Sequence, residues 1–424
     1  MVTREVSRAI VVIGGGIAGV SAALEAAEAG YEVTIVEKNT YLGGRVAQLY
    51  RYFPKLCPPY CGLEINFRRI KDNPRIRFHT MAEVEKISGR PGSFDVTVVL
   101  HPRYVNDRCT ACNACVAVCP AERPNAFNFG MGKTKAIYLA HELAFPVKYA
   151  IDDRACHLTE CAKCVEVCEY GAIDLTMPPK TMTLRAGAII IATGWDPYDA
   201  GRIDNLGFGT YPDVITNVMM ERLAAPNGPT KGKILRPSNG REVESAVFVQ
   251  CAGSRDQSHL GYCSGICCLA SLKEATYLRE RNPQARAHIF YIDLRTPGTY
   301  EFFAKKVLSD ERITAQKGKV ARVTEDPTTK KLVVEAEDIL SAEKFKLPVD
   351  LVVLASGMVS SLAEGAPAGV ALDADGFVLD APTSAGIFAA GCAKGPFDVA
   401  TSVQDATAAA ALAIETVQMA GAAR

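Results

Sequence analysis

Short apolar runs, each closed by glycine, set the rhythm of this chain and predict an α/β protein. Ala9–Ile13 is a β-branched run that enters Gly14-Gly15-Gly16-Ile17-Ala18-Gly19. An alanine-rich stretch with helical spacing follows from about Ile17 to Ala29. Gly30 stands where a helix favours a left-handed C′ residue, and Glu32–Glu37 reads as a second strand. The three make one β-α-β unit. The pattern returns with a strand around Glu244–Gln250, a helix over about Leu269–Arg281 and a strand over Ala287–Asp293. Ala186–Thr193 and Asp350–Ala355 are matching apolar strands, each followed by a glycine turn. The tail from Thr383 reads as a strand and an alanine-rich helix. The fold class is therefore α/β, with two Rossmann-like domains of the dinucleotide-binding type. A polar, cysteine-bearing stretch interrupts the first of them. The expected division is 1–100, 180–235 and 381–424 for the first domain, 101–179 for the insert and 236–380 for the second domain.

Composition narrows the class. Of 424 residues, 48% are apolar, enough for packed cores, and 47 basic residues balance 47 acidic ones. Nothing in that balance calls for nucleic acid. The longest apolar runs, Ala188–Ala192 and Leu351–Ala355, are far below a bilayer span. The N-terminal apolar stretch reads as a strand entering a turn rather than a leader. There are 15 cysteines, most of them in three tight groups. Without an export signal, metal ligation is favoured over a disulfide framework.

Gly14-x-Gly16-x-x-Gly19 follows a strand, opens a helix and precedes Glu37 at the end of the next strand. That context marks a dinucleotide site. Gly14 permits the tight turn, Gly16 lets the backbone approach a pyrophosphate at the helix N-terminus, and Glu37 is placed to accept from ribose hydroxyls. Ala18 and Lys38 flank these positions. Three further glycine motifs favour FAD over NAD. Gly43-Gly44-Arg45 lies just beyond the acidic residue, and Ala192-Thr193-Gly194 resembles the second strand–turn signature of flavoproteins with two dinucleotide domains. Thr383-Ser384-Ala385-Gly386-Ile387-Phe388-Ala389-Ala390-Gly391 resembles their third, with Cys392 where Asp is usual. A helix from near Thr401 is expected to aim its positive end at the flavin.

Cys109-x2-Cys112-x2-Cys115-x3-Cys119-Pro120 matches the bacterial ferredoxin run. A second run, Cys156-x4-Cys161-x2-Cys164-x3-Cys168, has a longer first gap and Glu169 in place of proline. The fourth cysteine of each such run serves the other cluster. Cys109, Cys112, Cys115 and Cys168 are expected to hold one cluster, and Cys156, Cys161, Cys164 and Cys119 the other. A third group, Cys251-x11-Cys263-x3-Cys267-Cys268, begins where a nicotinamide-binding domain would carry its glycine fingerprint. The sequence there is Gln250-Cys251-Ala252-Gly253-Ser254-Arg255, which lacks it. These thiols are expected to hold a third 4Fe–4S cluster near the flavin. Cys57-Pro-Pro-Tyr-Cys61 stays open between a redox-active dithiol, a structural pair and supplementary ligands. His157 lies inside the second run, either tuning its cluster or facing solvent.

With these residues in place, the chain resembles the A subunits of heterodisulfide reductases on Cys251-Ala-Gly-Ser-Arg-Asp256, Tyr262-Cys-Ser264, Cys267-Cys268 and Tyr291-Ile-Asp-Leu-Arg295. It resembles the A subunits of the quinone-interacting membrane-bound oxidoreductase (Qmo) complexes more closely still, on Tyr41–Gln48, Phe53–Pro59 and Cys61–Asn66. The resemblance implies a thioredoxin-reductase-like fold with a ferredoxin-like insert, FAD, and a lysine near the flavin ring, here Lys273. It implies partners as well: adenylylsulfate reductase, a homologous flavoprotein and a membrane quinone-binding subunit. On that reading the chain is an oxidoreductase subunit of dissimilatory sulfur metabolism. It works in the cytoplasm at the inner face of the membrane, without a span of its own, and relays electrons to or from menaquinone, with flavin-based bifurcation or confurcation an open variant. The competing readings are an NAD(P)H-dependent flavin oxidoreductase with a ferredoxin insert and a heterodisulfide reductase A-type subunit of another complex.

Overall fold

The computed structural model describes residues 6–379 and 385–422. The chain divides into two compact units, one of residues 1–195 and 360–424, the other of residues 196–359.

The first unit opens with β1 (Ala9–Ile13), α1 (Ile17–Glu28), β2 (Glu32–Glu37), α2 (Tyr60–Asp72) and β3 (Ile76–Thr80). β1 has no exposed residue, as a strand covered on both faces requires. Gly30, at φ +96°, ends α1. The Tyr31 N–H returns to Ala26 O and the Gly30 N–H to Ala27 O, a Schellman closure. β4 (Ala82–Arg90) and β5 (Ser93–Leu100) lead into the cysteine-bearing segment. There the elements are short: α3 (Ala114–Val118), β6 (Glu122–Pro124), β7 (Lys133–Lys135), β8 (Ile137–Tyr138), β9 (Ala150–Ile151) and α4 (Lys163–Glu166). β10 (Lys180–Ala186), β11 (Ala188–Ile191) and β12 (Trp195–Pro197) then carry the chain out of the unit.

The second unit contains β13 (Val214–Thr216), α5 (Asn217–Ala224), β14 (Ser245–Ala252), α6 (Cys267–Arg281), β15 (Arg286–Tyr291) and α7 (Tyr300–Leu308). It continues through β16 (Ile313–Glu325), β17 (Leu332–Asp338), β18 (Lys344–Val349) and β19 (Leu351–Ser356) to β20 (Met358–Ser360), where the chain returns. β21 (Ile387–Ala389) and α8 (Val399–Ala422) complete the first unit.

In the first unit a five-stranded sheet runs β21-β11-β1-β2-β3, all parallel, and a second sheet is β10-β5-β4. Alanines let α1 and α8 approach closely: Ala22, Ala23 and Ala26 share one buried cluster with Ala406, Ala409, Ala410 and Ala413. The second unit is a seven-stranded sheet ordered β13-β19-β14-β15-β16-β17-β18. Its first five strands are parallel and its last pairings antiparallel.

These pairings move two expected boundaries. Residues 196–235 belong to the second unit rather than the first, because Val214–Thr216 pairs in register with Val352–Leu354. Residues 360–379 belong to the first, where Ala368 O accepts from Ile87 N and Val378 N donates to Ala393 O. Thr383, Ser384 and the boundary at 380/381 lie outside the described residues.

Residues 101–179 are stitched to the first unit by Arg103, which is 7% exposed. Its guanidinium donates to Tyr149 O, Thr40 O, Lys148 O and Thr80 Oγ1 at 2.8–2.9 Å. Burial lowers its pKa to about 10, so it stays charged at neutral pH. Among the described residues, no helix is long and apolar enough to cross a membrane.

Candidate functional site

The glycines of the first turn divide into two kinds. Gly14 sits at φ +108°, and a Cβ there would lie 2.2 Å from Ala192 O. A Cβ on Gly19 would lie 1.8 Å from Gly14 O. Both are demanded by the chain's own packing. Gly16 is different. Its backbone, φ −72° and ψ −174°, suits any residue, and the nearest atom to a Cβ there is Gly44 Cα at 3.9 Å. The open space at the α1 N-terminus is the opening that a pyrophosphate needs, since the first amides of a helix have no intrahelical partner. A second glycine turn closes the other side. Gly43 N donates to Gly15 O at 2.7 Å, and both Gly43 and Gly44 have positive φ.

Glu37 is 4% exposed, and the protein already engages both its oxygens. Oε2 accepts from Gly15 N (2.6 Å), and Oε1 accepts from Asn39 N and Nδ2 (2.7 and 2.6 Å). With three of about four acceptor sites used, Glu37 fixes the turn and has roughly one left for a ribose. Lys38 is exposed. Arg45 donates to Trp195 O at 3.2 Å and to Gln48 Oε1 at 3.0 Å, so it braces the turn. Ala192 is buried. Thr193 keeps a buried Oγ1 without a partner among the described residues, and Gly194 follows at φ +78°. An orphaned hydroxyl beside an open glycine turn fits a bound dinucleotide.

The third signature differs from expectation. Gly391, at φ +61°, lies against Ala18. Its N–H goes to Asp405 Oδ2 at 2.8 Å, a residue of α8 that the sequence reading passed over. Cys392 is buried, its thiol on Phe397 O at 3.3 Å. Burial pushes that thiol up, so it offers a neutral sulfur where a carboxylate is usual. α8 begins at Val399 rather than Thr401, and Asp398 already accepts from Thr401 N at 2.7 Å. That carboxylate offsets the helix's positive end.

The two runs of the cysteine-bearing segment fold across each other. Cys109, Cys112, Cys115 and Cys168 line one small pocket. Cys119, Cys156, Cys161 and Cys164 line another, together with His157. The remaining walls are mainly apolar, among them Val105, Ile173, Ile151 and Leu158. Burial and neighbouring sulfurs raise Cys115 and Cys164 to about 11. Tyr149 rises to about 12 by burial and by Cys115, Cys109 and Cys112. Cys115 and Cys164 are thus neutral as free thiols, and metal uptake must release their protons.

Among the described residues, no three His, Cys, Asp or Glu side chains converge on a single-ion position. Zinc needs four sulfurs about 2.3 Å from one point. Four thiols held apart around an apolar cavity suit a 4Fe–4S cube, in which each iron takes one thiolate.

The third group lies in the second unit. Cys251, at φ +56°, is near the end of β14, and Cys267 and Cys268 open α6 at 6% and 7% exposure. Cys267 is pushed up by burial and then by Cys251, Cys268 and Cys263, so the four sulfurs share one electrostatic neighbourhood. Arg255 pairs with Asp293 at 2.9 Å, and Asp293 O accepts from the Cys268 thiol at 3.4 Å. Beside the group, Gln250 is 6% exposed and neither of its amide atoms has a partner among the described residues. Sequence reasoning missed Gln250 and Arg255. An amide or a guanidinium at the end of an apolar strand beside a cysteine is the signal that could have found them.

Lys273 is 5% exposed and pairs with Glu221 of α5 at 2.9 Å. Its charge is compensated inside its own unit rather than offered to an open crevice. Tyr277 donates to Glu221 at 3.2 Å. Glu274, 1% exposed, is held well above the usual carboxylate range by burial and by Glu221. The folded chain keeps a proton there that the unfolded chain gives up. Its stability contribution is therefore full below about pH 4.3, the ordinary Glu value, and declines as pH rises toward the folded value. Glu274→Gln is expected to raise the unfolding temperature more at pH 8.5 than at pH 5, and melting curves at the two pH values check this.

Residues 9–57 match the FAD dependent oxidoreductase family. The chain is 39% identical, over 96% of its length, to the iron–sulfur A subunit of the CoB–CoM heterodisulfide reductase of Methanocaldococcus jannaschii, of which it covers 64%. It is 38% identical over 95% of its length to the A subunit of the ferredoxin/F420H2-dependent CoB–CoM heterodisulfide reductase of Methanosarcina acetivorans, of which it covers 52%. The chain thus spans between half and two thirds of the length of these relatives. Its fold is shared with T. acidophilum thioredoxin reductase (TM-score 0.53, 16% identity, 96% of this chain and 99% of that one). Lactococcus lactis thioredoxin reductase shares it too (TM-score 0.53, 14% identity, 98% of this chain and 100% of that one). The architecture is therefore that of thioredoxin-reductase-like FAD oxidoreductases.

Proposed function

We propose that this chain is a flavin and iron–sulfur electron-transfer subunit of the heterodisulfide reductase A type, with FAD at the glycine cradle and three 4Fe–4S clusters. One observation carries the reading: two cavities of four thiols each lie in the same compact unit as an open dinucleotide cradle. FAD, when bound, supplies the conversion between paired and single electrons. The chain's own part is to hold and insulate. The backbone at Gly16 and the α1 N-terminus receive the pyrophosphate, Thr193 Oγ1 offers a hydroxyl, and the thiols of residues 109–168 ligate two clusters in apolar surroundings. Cys251, Cys263, Cys267 and Cys268 ligate the third.

We further place the chain in a Qmo-type complex, between the menaquinone pool and adenylylsulfate reductase. Its partners there are a homologous flavoprotein and a membrane quinone-binding subunit, the latter holding it at the inner face of the cytoplasmic membrane. Support for this finer placement is the resemblance of Tyr41–Gln48, Phe53–Pro59 and Cys61–Asn66. The NAD(P)H-dependent alternative is disfavoured by Gly253. A Cβ there would meet the Tyr198 ring at 2.6 Å, so the close approach that this glycine permits is taken by a side chain and not by a nucleotide.

Anaerobic purification with iron, sulfide and flavin quantification tests the reading. About twelve irons per FAD are expected from three four-iron clusters. Cys168→Ser and Cys119→Ser are each expected to lose about four irons, from different clusters, with distinct electron-paramagnetic-resonance signals disappearing. Rapid mixing with NADH or NADPH is expected to leave the flavin oxidised. A reproducible count of about four irons in the wild type, or flavin bleaching by NADH within turnover time, overturns it.

A further inference from the structure

We propose that Cys57 and Cys61 form a thiol–disulfide couple that exchanges an electron pair with the flavin held in the same unit. The inference rests on the FAD reading and deepens it.

Of the fifteen cysteines, twelve belong to the three groups and Cys392 is sequestered on Phe397. Cys57 and Cys61 remain. They are not packed as inert core thiols usually are, for Cys57 is half-buried and Cys61 exposed, both as free thiols. The chain between them is short and stiff. Pro58 and Pro59 separate Cys57 from Tyr60, and Cys61 N donates back to Pro58 O at 3.2 Å. Cys61 therefore stands in the first turn of α2, and Cys57 sits just before that helix, paired with Tyr52. A disulfide needs Cβ atoms about 3.5–4.5 Å apart, and the bond forms where the half-exposed Cys57 segment carries its thiol to Cys61.

Tyr52 joins the two sulfurs. Its N–H donates to Cys57 O at 3.2 Å, pairing the two residues as an antiparallel bridge. Burial and then the neighbouring Cys57 and Cys61 push its hydroxyl up, so the phenol lies close to both thiols. The same hydroxyl lies 2.9 Å from where a Cβ on Gly62 would stand. A phenol over two thiols can take and return a proton as they open and close. The flavin cradle is directly behind this turn. Leu63, two residues past Cys61, reaches to 3.2 Å of the Cβ position of Gly43, and Gly43 pairs with the Gly14–Gly16 turn.

The step balances. Two thiols lose two protons and two electrons as the S–S bond forms. The electron pair and one proton pass to oxidised flavin, giving its anionic reduced form, and the second proton leaves to solvent by way of Tyr52. Reduced flavin runs the step backwards.

The full chain, purified anaerobically with its flavin and clusters, tests this. It is equilibrated over a series of reduced-to-oxidised dithiothreitol ratios, alkylated with N-ethylmaleimide and digested with trypsin. The peptide bearing Cys57 and Cys61 is expected to switch from two alkyl groups to an internal disulfide across the series, and Cys61→Ser is expected never to form the disulfide. In a dithionite titration of the pre-oxidised protein, the wild type is expected to consume two more electron equivalents than Cys57→Ser/Cys61→Ser. Its disulfide is expected to disappear as the flavin bleaches. A peptide alkylated twice at every ratio overturns the couple, as does a disulfide that outlasts full flavin reduction. The two readings fail separately. A preparation without FAD counts against the cradle, whereas FAD retained over an unreactive pair counts against the couple alone.

Discussion

Gly16→Val is expected to give a folded chain that retains no FAD, whereas Gly19→Ala is expected not to fold stably at all. The two glycines lie three residues apart in one motif, yet only one of them answers to a ligand. At Gly19 a methyl group would sit 1.8 Å from Gly14 O. A backbone oxygen cannot yield as a side-chain end can, so α1 would have to move off the sheet. Overpacking of that kind costs about 3 kcal/mol or more, a large share of the roughly 5–15 kcal/mol that holds a domain folded. At Gly16 the backbone accepts a β-branched residue, and the nearest atom is 3.9 Å from the added Cβ. The folding cost is confined to a poorer N-cap, roughly 1 kcal/mol, while the valine occupies the space of the pyrophosphate. Flavin absorbance after gel filtration and thermal unfolding of both variants check this. Stoichiometric FAD on Gly16→Val would show that the cradle is misassigned.

Glu37→Ala is expected to lose FAD as well, but with a drop in stability that Gly16→Val does not show. The carboxylate holds Gly15 and Asn39 whether or not a ribose is present. Comparing melting temperatures of the two apo-variants separates its role in the turn from its role toward the ligand.

The parts of the fold that were legible are those encoded by neighbours in sequence. β1 and β2 begin and end where the apolar runs do, and α1 begins at Ile17, since strand, turn and helix are each specified within a few residues. Within each cysteine run the spacing is local, whereas lining one pocket with Cys168 and Cys109–Cys115, and another with Cys119 and Cys156–Cys164, joins residues far apart in sequence, as the crossed ferredoxin pattern implies. The metal group they take is the proposal. What escaped depends on distant pairing. Val214–Thr216 looked like part of the first domain until its partner, β19, was known. Lys273 was expected near the flavin ring, and only its position against Glu221 shows that its charge is compensated. Asp405 is invisible as a site residue until α8 is laid beside Gly391.

Cys267→Ser/Cys268→Ser is expected to lose about four of twelve irons, one paramagnetic signal and no FAD. The two cysteines open α6 in the second unit, while the dinucleotide cradle and the other two thiol sets belong to the first. The substitutions remove two of four ligands from one site only. The hydroxyls fit the same space, so packing around Leu269 and Leu272 survives and the loss is read from the metal content, not from unfolding. Burial makes the reduced apo-thiols reluctant to ionise: Cys251 and Cys268 are both raised, and Cys267 most of all. A cluster is what makes four ionised sulfurs tolerable in this position, since the irons neutralise them. Inert buried thiols predict the opposite, a variant whose iron content and spectra match the wild type. In that case Gln250 and the Arg255–Asp293 pair would surround a plain hydrophobic patch, and the third cluster would be struck from the relay. Iron and FAD analysis of the anaerobically purified double variant decides between them.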